Sequence, residues 1–289
     1  MKRWIPLAII LLAGCAAIVA VQWKNISTRP SAQAILSAGA DAQHELTRVP
    51  AHFSRMSDAD EIAAGNALAD SYSTRWRLTT DSDRAEEAYI TSVGTEVAVH
   101  ARRKLPWRFH YIPDRGFVNA FALPGGHVFV GRGLIELMHS EDALAAVIGH
   151  EIEHVDLRHC AERAQTEAEL RNLGPLGSLV GIPIEVFMAG YSKDQELEAD
   201  RDGTTLAVQT GYSPAGILRL FDEFQKLEQG EEPHRDPRSP VGEGAQLSLQ
   251  TLSGYFRSHP PSTERAEQIR NLMVAAHWPT PPLQPLQRS

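Results

Sequence analysis

The chain has 289 residues, 43% apolar and 22% charged, enough to bury one large core or two modest ones and too apolar to stay disordered. Its formal charge of -8, with no clustered excess of Lys and Arg, argues against a phosphate-binding surface and hence against a nucleic-acid partner. Two cysteines, Cys15 and Cys160, are too few for a disulfide framework.

The amino terminus is basic, Met1-Lys2-Arg3, and leads into the apolar run Trp4 to Leu12, the layout of an export signal. Its end, Leu12-Ala13-Gly14-Cys15, resembles a bacterial lipobox, which implies cleavage after residue 14, lipidation of Cys15 and, with Ala16 next, delivery to the outer membrane. A competing reading stays open. No charge occurs between Arg3 and Lys24, so the same stretch is just long enough to remain as a single anchor helix. Either way the positive residues precede the apolar run, and the rest of the chain is exported. Residues 15–56 form a tether.

From Ser57 the pattern is helical, with a cap and apolar positions at Ile62, Leu68 and Ala69. A second helix is expected over Ser82 to Arg103, with Ile90, Val93, Val97 and Ala101 on one face. The period then changes to two over Trp107–Ile112, Phe117–Ala122 and His127–Val130, and Pro124-Gly125-Gly126 supplies a tight turn, so these are expected to be adjacent antiparallel strands.

The segment Ser140 to Arg163 reads as one helix: Ser140 caps it, Glu141 and Asp142 fill an acidic first turn, and Leu144, Val147, Ile148, Ile152 and Val155 form an apolar stripe. Inside it stands His150-Glu151-Ile152-Glu153-His154. Residues four apart share a helix face, so both imidazoles can reach one ion with Glu151 beside them. This is the HExxH pattern, in which zinc acidifies a bound water and the glutamate takes its proton.

Further on, Leu173 to Gly190 is broken by Gly and Pro and is either a lid or a covered connection. Helical character returns from Ser192 through Val208 and stops at Gly211, and Ser213-Pro214 opens another helix through Leu227. Gln229 to Gln246 reads as a mobile excursion, a helix follows Ser262, and residues 279–289 form a Pro-rich tail that need not be ordered.

A catalytic zinc needs a third protein ligand. A metzincin would place Gly and His three and six residues past His154, where this chain has Leu157 and Cys160; on a continuous helix Cys160 points away and reads as a buried thiol. Glu196 and Asp200 share a face of a later helix, while Glu198 points roughly opposite, toward solvent.

The HExxH pattern followed by Glu196-Leu197-Glu198-Ala199-Asp200 resembles the M48 metallopeptidases. The likeness extends from about Ser57 to Met273 through Glu61–Gly65, Asn119–Gly126, Gly131–Leu134, the spacing HExxHxxxxH ending at His159, Gly211–Pro214 and Ser258–Arg265. Lys193 stands where Arg is usual and His127 where an aliphatic residue is usual. The resemblance implies an α+β, predominantly helical, zincin-like domain over 57–278 with a small antiparallel sheet beside the HExxH helix. It also implies one zinc per chain held by His150, His154 and Glu196, with Glu151 as general base and Asp200 accepting from a ligating imidazole. The implied activity is peptide hydrolysis in the cell envelope, on misfolded or unassembled proteins held in extended form along an edge strand at Asn119, Ala120, Phe121 and Ala122. The alternative class is a periplasmic chaperone or assembly factor that rarely cuts.

Two prolines stiffen the turn Ser258-His259-Pro260-Pro261, and His259 is expected to reach the active site. There it would either fill a fourth metal position and keep the enzyme latent or stabilise an oxyanion; the plainer alternative is a local cap.

Overall fold

The structure is a computed structural model that describes residues 56–73, 75–171, 182–228, 259 and 263–287. The expectations for the export segment and Cys15, the tether to residue 55, residues 172–181 and the Gln229–Gln246 excursion lie outside these residues. Among the described residues no helix is long and apolar enough to cross a membrane.

Helix α1, Asp58–Ser73, starts where Ser57 Oγ accepts the Asp60 N–H at 3.1 Å, and α2, Asp81–Ala98, starts in a capping box between Thr80 and Asp83. The second helix stops short of the expected Arg103. The N–H groups of Arg102 and Arg103 donate instead to the two carboxylate oxygens of Asp156, at 2.8 and 2.7 Å, which ties this segment to the end of the HExxH helix.

Three strands follow: β1 Arg108–Ile112, β2 Ala120–Leu123 and β3 His127–Gly131. Their order is β1-β3-β2, with β2 antiparallel and β1 parallel to β3, so the sheet is mixed and not antiparallel throughout. Alternation fixes which residues share a face but not which strand lies next to which. The tight turn at Gly125 and Gly126, with φ of 79° and 103°, forces β2 against β3, while the longer loop after β1 lets β1 join the far side of β3. One face of the sheet, with Phe109, Tyr111, Val128 and Val130, joins the main core of α2 and the HExxH helix; the other, with Ile112, Phe121, Leu123 and Phe129, packs with Leu68 of α1.

After the short α3, Arg132–Leu137, comes α4, Glu141–Asp156, which is buried along its whole length. Full burial of Leu144, Ile148 and Ile152 contributes roughly 1.5–3 kcal/mol each. Its acidic first turn does more than complement the helix dipole. Glu141 accepts from the hydroxyls of Tyr89 and Tyr212 at 2.7 and 2.9 Å, and Asp142 accepts from the N–H groups of Ser213 and Gln284, both at 2.7 Å. Gln284 O in turn accepts the Glu141 N–H at 2.9 Å, so the carboxy-terminal tail is docked on α4 through backbone pairing that its Pro-rich composition does not reveal.

The helix does not continue to Arg163. It caps at Leu157, Arg158 adopts the left-handed region at φ 67°, and α5, His159–Leu170, sets off in a new direction. That conformation costs about 1–2 kcal/mol for a residue with a Cβ. The Arg158 guanidinium offsets it by pairing with Asp58 and Glu61 and by donating to Met56 O at 2.9 Å. After a short 3₁₀ turn at Ile184–Val186, α6 runs Lys193–Thr210 between a Ser192–Gln195 capping box and Gly211 at φ 104°. Helices α7, Ala215–Glu228, and α8, Thr263–Ala275, complete the domain.

His127, on β3, lies within 3.0 Å of both His110 on β1 and Asn66 on α1. Burial, with Arg108 nearby, pushes both imidazoles down to about 4. The unfolded chain takes up these protons near pH 6.5 and the folded chain only near 4, so this pair costs stability as pH falls through that window, about 3 kcal/mol per imidazole at most. Replacing the pair, His110→Phe with His127→Val, is expected to flatten the fall in thermal midpoint between pH 7 and 5; an unchanged slope would show that the acid sensitivity lies elsewhere.

Candidate metal centre

The centre is built where α4 and α6 cross with their backbones in contact. A Cβ on Gly149 would stand 2.4 Å from Gly203 O, and one on Gly203 would stand 2.4 Å from His150 N, so this approach tolerates only glycine at both positions. The crossing sets the His150/His154 face of α4 against the Glu196/Asp200 face of α6.

His150, His154, Glu196 and His259 each offer one ligand atom, all within 4.8 Å of one another and all buried. His150 Nε2 is 3.0 Å from His154 Nε2 and 3.5 Å from Glu196 Oε2, and His154 Nε2 is 3.6 Å from Glu196 Oε1. His259 Nδ1 stands 3.1 Å from both His150 Nε2 and Glu196 Oε2. Donors bonded at about 2.0–2.1 Å to one tetrahedral ion lie roughly 3.3–3.4 Å apart, which these five separations bracket, while the four atoms together spread over up to 4.8 Å.

The chemistry of the donor set fits as well. His150 Nδ1 faces Asp200 Oδ1 at 2.9 Å, off the line of a straight hydrogen bond, and Arg265 grips that carboxylate through Nε and, at 2.7 Å, through Nη2. The His150 proton therefore belongs on Nδ1 and its Nε2 lone pair faces the other donors, an arrangement that a cation between them satisfies. Burial opposes charge on His150, yet the Asp200 and Glu196 carboxylates outweigh it and raise its pKa to about 10. Burial likewise opposes ionisation of Glu196, but His259 and the two helix imidazoles hold it well below the usual carboxylate range. The two carboxylates thus favour positive charge at His150, whereas burial pushes the His154 imidazole well below its usual range.

Glu151 differs from its neighbours. Both of its carboxylate oxygens are buried without a hydrogen-bond partner among the described residues, and His259 Nε2 lies 3.3 Å from Oε1. Burial raises its pKa above the ordinary range, which suits a group that must take and return a proton.

Residues 84–273 match the sequence model of peptidase family M48. The chain belongs to that family. It is similar to the metalloprotease LoiP of Escherichia coli (strain K12), 33% identical over 171 residues that cover 55% of this chain and 60% of that protein. It is similar also to the beta-barrel assembly-enhancing protease of E. coli (strain K12), 31% identical over 169 residues, 52% of this chain and 34% of that one. The mitochondrial metalloendopeptidase OMA1 of Schizosaccharomyces pombe is 34% identical over 189 residues, 62% of this chain and 50% of its own. The chain thus spans between about a third and three-fifths of the length of these relatives. The matched M48 interval takes in all four donors, Glu151, Asp200 and Arg265.

In this M48 chain, Asn119 to Ala122 belong to an edge strand with its flank, but that edge is occupied. Phe121 pairs with β3, so Ala120 and Ala122 turn their backbone groups outward, where Asn119 Oδ1 takes the Ala120 N–H at 2.9 Å and Cys160 Sγ donates to Ala122 O at 3.6 Å. Cys160 is a buried thiol outside the donor set, as its apolar surroundings require, although it sits on α5 and not on a continuation of α4. Glu198 is half exposed and outside the donor set.

Three site residues escape a reading of the sequence. Arg265 looks like one more charge on a terminal helix, yet it is buried and holds Asp200, with Nη1 3.4 Å from Glu196 Oε2. Tyr191 stacks on the His154 ring at 3.9 Å and 18°. His159 reaches His154 only because the helix breaks at Arg158. Arg265 falls in the motif Ser258–Arg265 and His159 closes the HExxHxxxxH spacing, but neither motif says what these side chains touch, and Tyr191 lies in no motif.

The placement of Glu196 leads to a test by metal analysis. Glu196→Ala is expected to weaken metal retention by roughly 10²-fold or more, and Glu198→Ala by far less, in competition with a chelator. Equal losses would mean that Glu196 is not a ligand.

Proposed function

We propose that this chain is a zinc-dependent endopeptidase of the bacterial cell envelope that cleaves misfolded or unassembled proteins. The observation that carries the reading is the four-donor cluster on α4, α6 and His259, with the buried, unbonded Glu151 carboxylate beside it. Membership of a peptidase family supports it, and so do relatives named as metalloproteases. Bound zinc would supply Lewis acidity, acidifying a water and polarising the scissile carbonyl. Within the chain, Glu151 accepts the water's proton and returns it to the leaving amine, while Asp200, fixed by Arg265, holds His150 in one tautomer.

For location the reading rests on the sequence of the first residues: Cys15 as lipidated start of the mature chain at the outer membrane, with an uncleaved anchor as the alternative. The substrate class follows from that compartment and from an edge strand that selects main chain over side chain once its covering groups part.

The test is turnover of casein by the purified, zinc-loaded chain. Cleavage that a chelator abolishes and added zinc restores is expected; a loaded protein that suppresses aggregation but leaves casein intact would make it the holding factor of the alternative class.

A further inference from the structure

We infer that His159 is the positioning residue for His154, and that the break in the HExxH helix is what delivers it. The inference rests on the reading of the cluster as a metal centre and adds a residue to it. Had α4 run on, five residues would rotate His159 about 500°, roughly 140° from the His154 face. The left-handed Arg158 breaks that phase, and α5 begins at His159 itself. Its buried ring turns back so that Nδ1 lies 3.0 Å from His154 Nδ1, with ring centroids 5.2 Å apart at 61°.

The proton positions follow from the donor set. His154 presents Nε2 to His150 and Glu196, so that atom must be a bare lone pair and the His154 proton sits on Nδ1. The only role left for His159 Nδ1 in that contact is acceptor. Its own proton then occupies Nε2, which lies 3.6 Å from Glu198 Oε2. The half-exposed Glu198 carboxylate faces that edge of His159. The face of His154 is fixed separately: the Tyr191 ring stacks on it, with its hydroxyl 3.2 Å from Cys160 Sγ and the Arg163 guanidinium 3.9 Å from its centroid. Between edge and face, His154 is left one orientation.

The two histidines of the motif are therefore oriented by unlike partners. His150 leans on a carboxylate clamped by Arg265, and His154 on a neutral imidazole. Losing such an outer partner typically costs 10–100-fold in metal affinity.

The decisive experiment compares His159→Phe, which keeps volume but removes the acceptor, with His159→Asn, whose Oδ1 takes the place of Nδ1. Zinc affinity is read by competition with a chromophoric chelator, without substrate. A roughly 10–100-fold loss in His159→Phe, with His159→Asn several-fold closer to the parent, is expected. Parental affinity in His159→Phe, or equal losses in both variants, would overturn the inference while leaving the metal centre standing; a parent that takes up no zinc would sink both. Nitrogen NMR of the zinc-loaded parent needs no variant to fold: it should find His159 protonated on Nε2 and bare on Nδ1, and a proton on Nδ1 would refute the assignment.

Discussion

Glu151→Gln is expected to lower casein turnover by roughly 10³-fold while the zinc content stays at one per chain, since positioned acid–base groups contribute about 10²–10⁴-fold. The substitution is close to isosteric and removes only the ability to accept a proton. Glu151 is no member of the donor cluster, so metal uptake does not depend on it. Its two oxygens have no hydrogen bond to lose among the described residues, so stability should hold or rise: a buried carboxylate costs desolvation that a neutral amide largely avoids. Turnover and zinc content, measured on one preparation, separate the outcomes. Loss of both together would make Glu151 a structural or ligating group, and retention of both would transfer the base role elsewhere.

Much of this centre was legible because it is local. Two imidazoles four apart on a strongly apolar helix need only helical phase to be placed together, and the same phase separated Glu196 and Asp200 from Glu198. Caps at Ser57 and Ser140 marked helix starts, since each satisfies a backbone N–H within a few residues. What remained hidden depends on partners far along the chain. The left-handed Arg158 has no glycine to announce it; it is held by Asp58, Glu61 and Met56, about a hundred positions away, and with it goes the placement of His159. The parallel pairing of β1 is likewise non-local, because alternation carries no information on neighbours. Docking of the tail at Gln284 is written in backbone groups, to which side-chain patterns are blind.

His259→Ala is expected to raise basal casein turnover about tenfold and to weaken zinc binding without abolishing it. The His259 ring stands with Nδ1 in the donor cluster and Nε2 3.3 Å from Glu151 Oε1. One ring so placed blocks two requirements of hydrolysis at once. With zinc bound it would take the position that a catalytic site keeps for water, and its other nitrogen faces the base that must take that water's proton. The remaining donors, His150, His154 and Glu196, suffice for a catalytic site, so the variant keeps the machinery and loses the block. A tenfold rise corresponds to a closed arrangement holding ~90% of molecules, and a larger rise to a tighter closure. An oxyanion role demands the reverse, a roughly 10²-fold loss of turnover with zinc affinity little changed. Zinc affinity discriminates further, because a ligand contributes to it in the absence of substrate and an oxyanion donor does not. Turnover and affinity both equal to the parent would remove His259 from the mechanism altogether and return it to a cap on the start of α8.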